Sequence, residues 1–176
     1  ETAQTAGSIV RPAAYCGVVG YKPTFGTLSL AGIKSLSPSL DTVGVLTRSV
    51  ADAAFFIGAL ARLPLSSLLG KDAMPTRLRV GICRTPHWDR ASPATRTAVE
   101  HAARLLERGG ALLSDVELPA PCAGLTDAQI RIMSYEAAAA FAPEARNDAD
   151  EFSRAFAAVL AAGNAIDGTT SVSYTH

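Results

Sequence analysis

Net charge is what this sequence has least of. Sixteen Lys+Arg balance sixteen Asp+Glu across 176 residues, so the formal charge is zero. That balance excludes a nucleic-acid binder working by phosphate neutralisation, and it excludes a polybasic membrane patch or an acidic tail. Charge of either sign is sparse, at 18% against roughly 25% in an average domain. Cysteine is scarce too, with three residues at Cys16, Cys83 and Cys122 and no CxxC pair. A disulfide framework is therefore not expected, and a reducing, cytoplasmic setting is the default. His87, His101 and His176 lie far apart and remote from the cysteines, so the sequence shows no closely spaced His/Cys metal site. No apolar run reaches the roughly 18 residues of a membrane span, and no basic-then-apolar leader is readable.

What is present is a globular composition. Hydrophobic residues make up 48%, which argues against disorder, and the length suits about one domain. The chain opens at Glu1-Thr2 directly into a Gly/Ser/Thr loop with no lead-in element, which reads as a piece of something longer. Arg outnumbers Lys 13 to 3, a bias that weakly suggests a GC-rich bacterial genome.

Local signals predict the following order. Residues 1–48 read as short strands, turns and one short helix over Ser8–Cys16, with Ser8 as its cap and Gly17 as its stop. Val18–Lys22 reads as a strand ended by Pro23. Ser49-Val50-Ala51-Asp52 fits a capping box, with Ala53, Phe56, Ile57 and Leu60 on the face that follows. Residues 64–77 read as a loop. Leu78, Val80 and Ile82 alternate as in a strand, Ser92-Pro93 opens a helix with Val99, Ala102, Leu105 and Leu106 on one face, and Leu112–Leu118 is a second strand. A strand–helix–strand unit implies a right-handed crossover and a parallel pair, hence an α/β fold. A helix from Thr126 carries Ile130, Met133 and Ala137 on one face, an Ala-rich helix covers 149–162, and 168–176 is a polar tail.

The segment Gln4-Thr5-Ala6-Gly7-Ser8-Ile9-Val10-Arg11-Pro12 can carry chemistry. Small residues let backbone approach a substrate closely, and N–H groups at a helix start favour negative charge. A serine there can attack a carbonyl while neighbouring N–H groups hold the oxyanion. On spacing alone, the plainer reading of Ser8 is a helix cap.

The run Gln4 to Thr24 resembles the second half of the amidase signature. The resemblance continues through Gly26, Gly32, Leu36-Ser37-Pro38-Ser39-Leu40-Asp41-Thr42-Val43-Gly44 and Thr47–Ala54, nearly continuous over residues 4–60. Residues 78–118 are similar to the family's next strand–helix–strand block, less specifically, and beyond about residue 120 only helical character matches. The resemblance implies a mixed β-sheet covered by helices, of which this chain is an incomplete domain. Its expected parts are a signature-core half over 1–60, the strand–helix–strand unit over 61–120, and a helical segment with a loose tail over 121–176.

The resemblance also implies amide hydrolysis by a Ser–cis-Ser–Lys triad. A neutral lysine takes a proton from a bridging serine, which deprotonates the nucleophile. By position, Ser8 is the nucleophile, and the backbone N–H groups of Thr5, Ala6, Gly7 and Ser8 form the oxyanion loop. The family's lysine and bridging serine lie upstream, and neither is among these residues. Lys22, Lys34 and Lys71 do not match the catalytic lysine. No metal and no organic cofactor is implied. The expected partners are a small-molecule amide and a second copy of the chain, with no nucleic acid and no membrane. Three departures stand out. Val10 holds the place where the family usually has Arg, with Arg11 next. Gln4 replaces a common acidic residue. Ala6 replaces a common Gly and keeps its N–H.

Other residues take plainer readings: Cys16 as a small buried thiol, Asp41 as a turn or cap, Arg48 as a structural ion pair. His87-Trp88 reads as a surface loop, His101 as solvated, and Met133 and Tyr135 as packing. Two rival functions remain. One is a glutamine-dependent amidotransferase component that passes ammonia to a partner-bound acceptor. The other is a non-catalytic scaffold lacking the relay. The isolated chain is expected to be aggregation-prone or partly ordered, because a slice of a larger sheet exposes edges and apolar faces.

Overall fold

The computed structural model describes residues 2–64 and 78–167. They form two units, one holding residues 2–64 and 126–167, the other 78–125. The expected loop over 65–77, with Lys71, and the tail over 168–176, with His176, lie outside the described residues.

The first unit is built on three short strands, β1 (Thr2–Gln4), β2 (Val19–Tyr21) and β3 (Thr42–Thr47). β3 is central: β1 pairs with its first half and β2 with its second, both antiparallel. β1 overturns the expectation that the chain opens as a loop. Three residues make a strand there because β3 supplies a full partner edge, with Thr2 opposite Gly44 and Gln4 opposite Thr42. β3 itself lacks the alternation of a half-exposed strand, since Thr42, Val43, Gly44 and Val45 are all buried.

Helix α1 (Val10–Cys16) packs on this sheet. Ile9, fully buried just before it, and Ala13 one turn later take the sheet-facing positions. The contact needs glycines. A Cβ on Gly44 would sit 2.5 Å from Ile9 Cδ1 and 2.4 Å from the Tyr21 carbonyl, and one on Gly20 would meet Ala13 Cβ at 2.5 Å. Gly17 ends the helix at φ 64°, its N–H donating to the Ala13 carbonyl. Cys16 is exposed, not buried, because the helix ends beside it and Ile9 and Ala13 occupy the buried face.

Helix α2 (Val50–Ala61) starts at Ser49, whose side chain accepts from the Asp52 N–H as the sequence predicts. Ala53 and Ile57 join Val45 in the core. Phe56 and Leu60, expected on the same face, are exposed, as is Phe55. Arg48 is exposed and makes no ion pair with a described residue.

In the second unit β4 (Arg79–Cys83) and β5 (Leu112–Val116) pair in parallel, with helix α3 (Pro93–Arg108) between them in sequence. The Ser92 cap and Pro93 at the first turn are as predicted. The apolar face of α3 is not buried here: Val99, Leu105 and Leu106 are 38–50% exposed, and no residue of the helix is buried. His87 and His101 are exposed.

The first unit resumes in α4 (Leu125–Ala140), α5 (Ala142–Asn147) and α6 (Arg154–Asn164). α4 buries Ile132, Ser134, Ala137 and Ala138, while Ile130 is exposed. The buried face is therefore turned from the expected one, because α6 crosses α4 at Gly163 against Ser134. Met133 and Tyr135 are half-buried. Phe141, Phe152 and Phe156 form an edge-on aromatic trio that joins these helices.

Candidate functional site

The loop Thr5–Ile9 runs from the end of β1 to the start of α1. Both of its ends are fixed. At the downstream end Ile9 is locked against Gly44 of β3. Gln4, the last residue of β1, reaches across the loop, and its Oε1 accepts from the N–H groups of Ile9 at 2.9 Å and Val10 at 3.1 Å. Gln4 therefore does the capping that sequence spacing assigns to Ser8. The helix begins at Val10, and Ile9 occupies the cap position without a side-chain bond.

Ser8 is left with no capping role. It sits in a turn, exposed, and its hydroxyl meets no described partner. Gly7 precedes it at φ 124°, a conformation that L side chains rarely adopt. The backbone N–H groups of Thr5, Ala6, Gly7 and Ser8 donate to no described group. Among the described residues, the loop thus presents a hydroxyl without a partner next to a run of N–H groups without acceptors.

At the upstream end the Thr5 hydroxyl donates to Oδ1 of Asp41. Asp41 is buried, and its other oxygen accepts from the Ser35 hydroxyl at 2.6 Å, the Leu36 N–H at 2.8 Å and the Ser37 N–H at 3.0 Å. Burial alone would raise the carboxyl pKa. The hydrogen bonds from Ser35, Thr5, Ser37 and Leu36 outweigh it and hold Asp41 below its ordinary value. The turn reading of Asp41 is correct as far as it goes, and the bond to Thr5 is the part it omits.

Glu136 of α4 is a residue that sequence reasoning misses. Its Oε2 accepts from the Ser37 hydroxyl at 2.6 Å and the Ser39 N–H at 3.1 Å. Lys34, on the same stretch, donates to the Ala140 carbonyl at 2.9 Å and Glu144 at 2.6 Å, and lies 4.7 Å from the Phe141 ring centre. Neither described lysine that could be weighed as a base contacts Ser8: Lys22 donates to the Pro23 carbonyl, and Lys34 is held on α4 and α5. Among the described residues no group of three His, Cys, Asp or Glu could hold a metal ion, and no helix is long and apolar enough to cross a membrane.

Comparison with known proteins bears on the family and the fold. The amidase family, described as "Amidase", matches residues 3–167. A glutamyl-tRNA(Gln) amidotransferase subunit from Shouchella clausii (strain KSM-K16) is 39% identical over 126 residues, covering 65% of this chain and 26% of the relative. A solved structure described as an amidase superposes with a TM-score of 0.85 at 30% identity, covering 99% of this chain and 38% of that one. Native peptide amidase from Stenotrophomonas maltophilia gives a TM-score of 0.71 at 29% identity, covering 98% and 42%. The chain therefore spans about a quarter of the curated relative's length and about two fifths of the solved amidases. With a family match across almost every described residue and an α/β fold shared with solved amidases, this chain belongs to the amidase-signature family.

Proposed function

We propose that this chain supplies the nucleophile segment of a longer amidase that hydrolyses the carbon–nitrogen bond of a small carboxamide. The observation that carries the reading is Ser8: an exposed hydroxyl with no described partner, beside four N–H groups with none. In the reaction Ser8 Oγ bonds to the carbonyl carbon while its proton passes to the base. The carbonyl oxygen becomes an oxyanion, stabilised by the N–H groups of Thr5 to Ser8. The C–N bond breaks as the leaving nitrogen gains a proton, and an acyl ester remains on Ser8. Water then attacks the ester, releasing the carboxylic acid and restoring the hydroxyl. The family resemblance assigns the base, a lysine acting through a bridging serine, to chain outside these 176 residues. The chain taken alone is inactive for that reason.

The test is hydrolysis of simple aliphatic and aromatic amides by the full-length protein. Ser8→Ala is expected to lower kcat by at least about 1,000-fold, as loss of a nucleophile does. Full activity in that variant removes the reading. One finding favours a second reading, a glutaminase component of an amidotransferase: the likeness to the amidotransferase chain of Shouchella clausii. Glutamine hydrolysis that rises when partner chains are added, with no turnover of simple amides, would select it.

A further inference from the structure

We propose that Asp41 is a positioning residue for the acyl-transfer site, acting through the Thr5 hydroxyl on the loop that carries Ser8. The inference rests on the reading of Ser8 as nucleophile. It begins from how the Asp41 carboxylate is divided. Oδ2 takes three bonds, from Ser35, Leu36 and Ser37, all within six residues of Asp41. Those bonds close a local turn and need nothing from the nucleophile loop. Oδ1 does something else: it accepts from Thr5, 36 residues away in sequence. A turn-closing aspartate has no need of that bond.

The anchor is stiff. Asp41 is 3% exposed, so its charge is sustained by these hydrogen bonds, not by water. The turn it closes is held again from outside, where Glu136 takes the fully buried Ser37 hydroxyl and the Ser39 N–H. The carboxylate therefore cannot follow a moving loop. The other end of the loop is held by Ile9 against Gly44. Between the two anchors lie the N–H groups of Thr5 to Ser8, which make no described bond of their own. Gly7, at φ 124°, has a backbone that would relax readily if one anchor were lost.

Oxyanion hydrogen bonds form as charge develops in the transition state. A small displacement of their donors reduces the rate of acylation more than it reduces substrate binding. Thr5→Val keeps the branched shape and removes the donor. It is expected to lower the acylation rate constant roughly 10- to 100-fold with KM changed less than about threefold. Thr5→Ser restores the hydroxyl and is expected to recover most of the rate. A role in folding alone moves the melting temperature and leaves the acylation rate of the folded enzyme unchanged.

The experiment uses the full-length protein with a fluorophosphonate probe, measuring the phosphonylation rate constant for wild type, Thr5→Val, Thr5→Ser and Ser8→Ala. Steady-state kcat and KM are measured on the amide found to be turned over. Slow labelling in Thr5→Val, recovery in Thr5→Ser and none in Ser8→Ala is the expected result. Thr5→Val within twofold of wild type, or no recovery in Thr5→Ser, overturns the positioning role while leaving Ser8 in place. Labelling that persists in Ser8→Ala removes the nucleophile reading on which the proposal rests.

Discussion

The two units of this chain solve different problems. The first has weak local signals and strong long-range ones. Its strands are three to six residues long, yet Thr5 is tied to Asp41, Ser37 to Glu136, and Lys34 to Glu144 across 36 to 110 residues of sequence. The second has strong local signals and almost no interior. Its strand–helix–strand order, Ser92 cap and amphipathic α3 are all readable, but Ala111 is its one buried hydrophobic among the described residues. A well-formed supersecondary unit is therefore not a folded core. Val99, Leu105 and Leu106 leave an apolar face of α3 exposed.

Glycine substitutions break the comparison most sharply. A Cβ on Gly163 would lie 1.9 Å from the Ser134 carbonyl oxygen and 2.6 Å from its carbon, so α4 and α6 must part. Gly163→Ala is expected to destabilise the full-length protein by about 3 kcal/mol, an overpacking penalty, read as a drop in the denaturant midpoint at unchanged slope. Gly124→Ala in the second unit meets nothing within 4 Å. It should stay within about 0.5 kcal/mol of wild type. Equal effects at the two sites would contradict the contrast between the units.

Acid response is the next discriminator. The pKa of Asp41 is depressed in the folded state below the 3.8 of a free side chain. A depressed carboxylate contributes stability that is fully present well above pH 3.8 and is lost as pH falls through the lower folded value. Asp41→Asn should therefore flatten the acid limb of the stability–pH curve. Removing Asp115, an exposed carboxylate paired with Arg84 at the surface of the second unit, should change stability by less than about 1 kcal/mol. A curve that Asp41→Asn leaves unaltered would count against the buried anchor.

The caps are a further comparison, and here the units should agree. Ser49→Ala and Ser92→Ala each remove one side-chain acceptor from an exposed helix start. Each is expected to lower stability by about 1 kcal/mol. A cap is local and does not depend on how much core lies beneath it, so a large difference between the two would be informative.

The same division explains what the sequence can show. Ser49 and Ser92 are legible because a cap and the helix it starts are adjacent in the chain. Ser8 reads wrongly as a cap because the competing acceptor, the side chain of Gln4, reaches over the loop from a strand that no periodicity announces. β3 is hard to see because it is buried on both faces and carries Gly44 where a helix must come close. The short turn Ala149–Glu151 and α6 read as one helix over 149–162, since Ala-rich composition does not mark the break at Ser153. Glu136 is invisible for a different reason: its partners lie 97 and 99 residues away. The candidate site is found through a family resemblance over residues 4–60. Small residues before a serine, taken alone, read as an ordinary helix start.

The most direct test of the account is the location of the covalent adduct. The full-length protein is incubated with a fluorophosphonate, digested, and the modified peptide sequenced by mass spectrometry. A single adduct on Ser8, blocked by a competing amide substrate, is the predicted result. An adduct on another residue, formed while the enzyme is turning over its amide, would contradict the assignment of Ser8 and the loop geometry built around it.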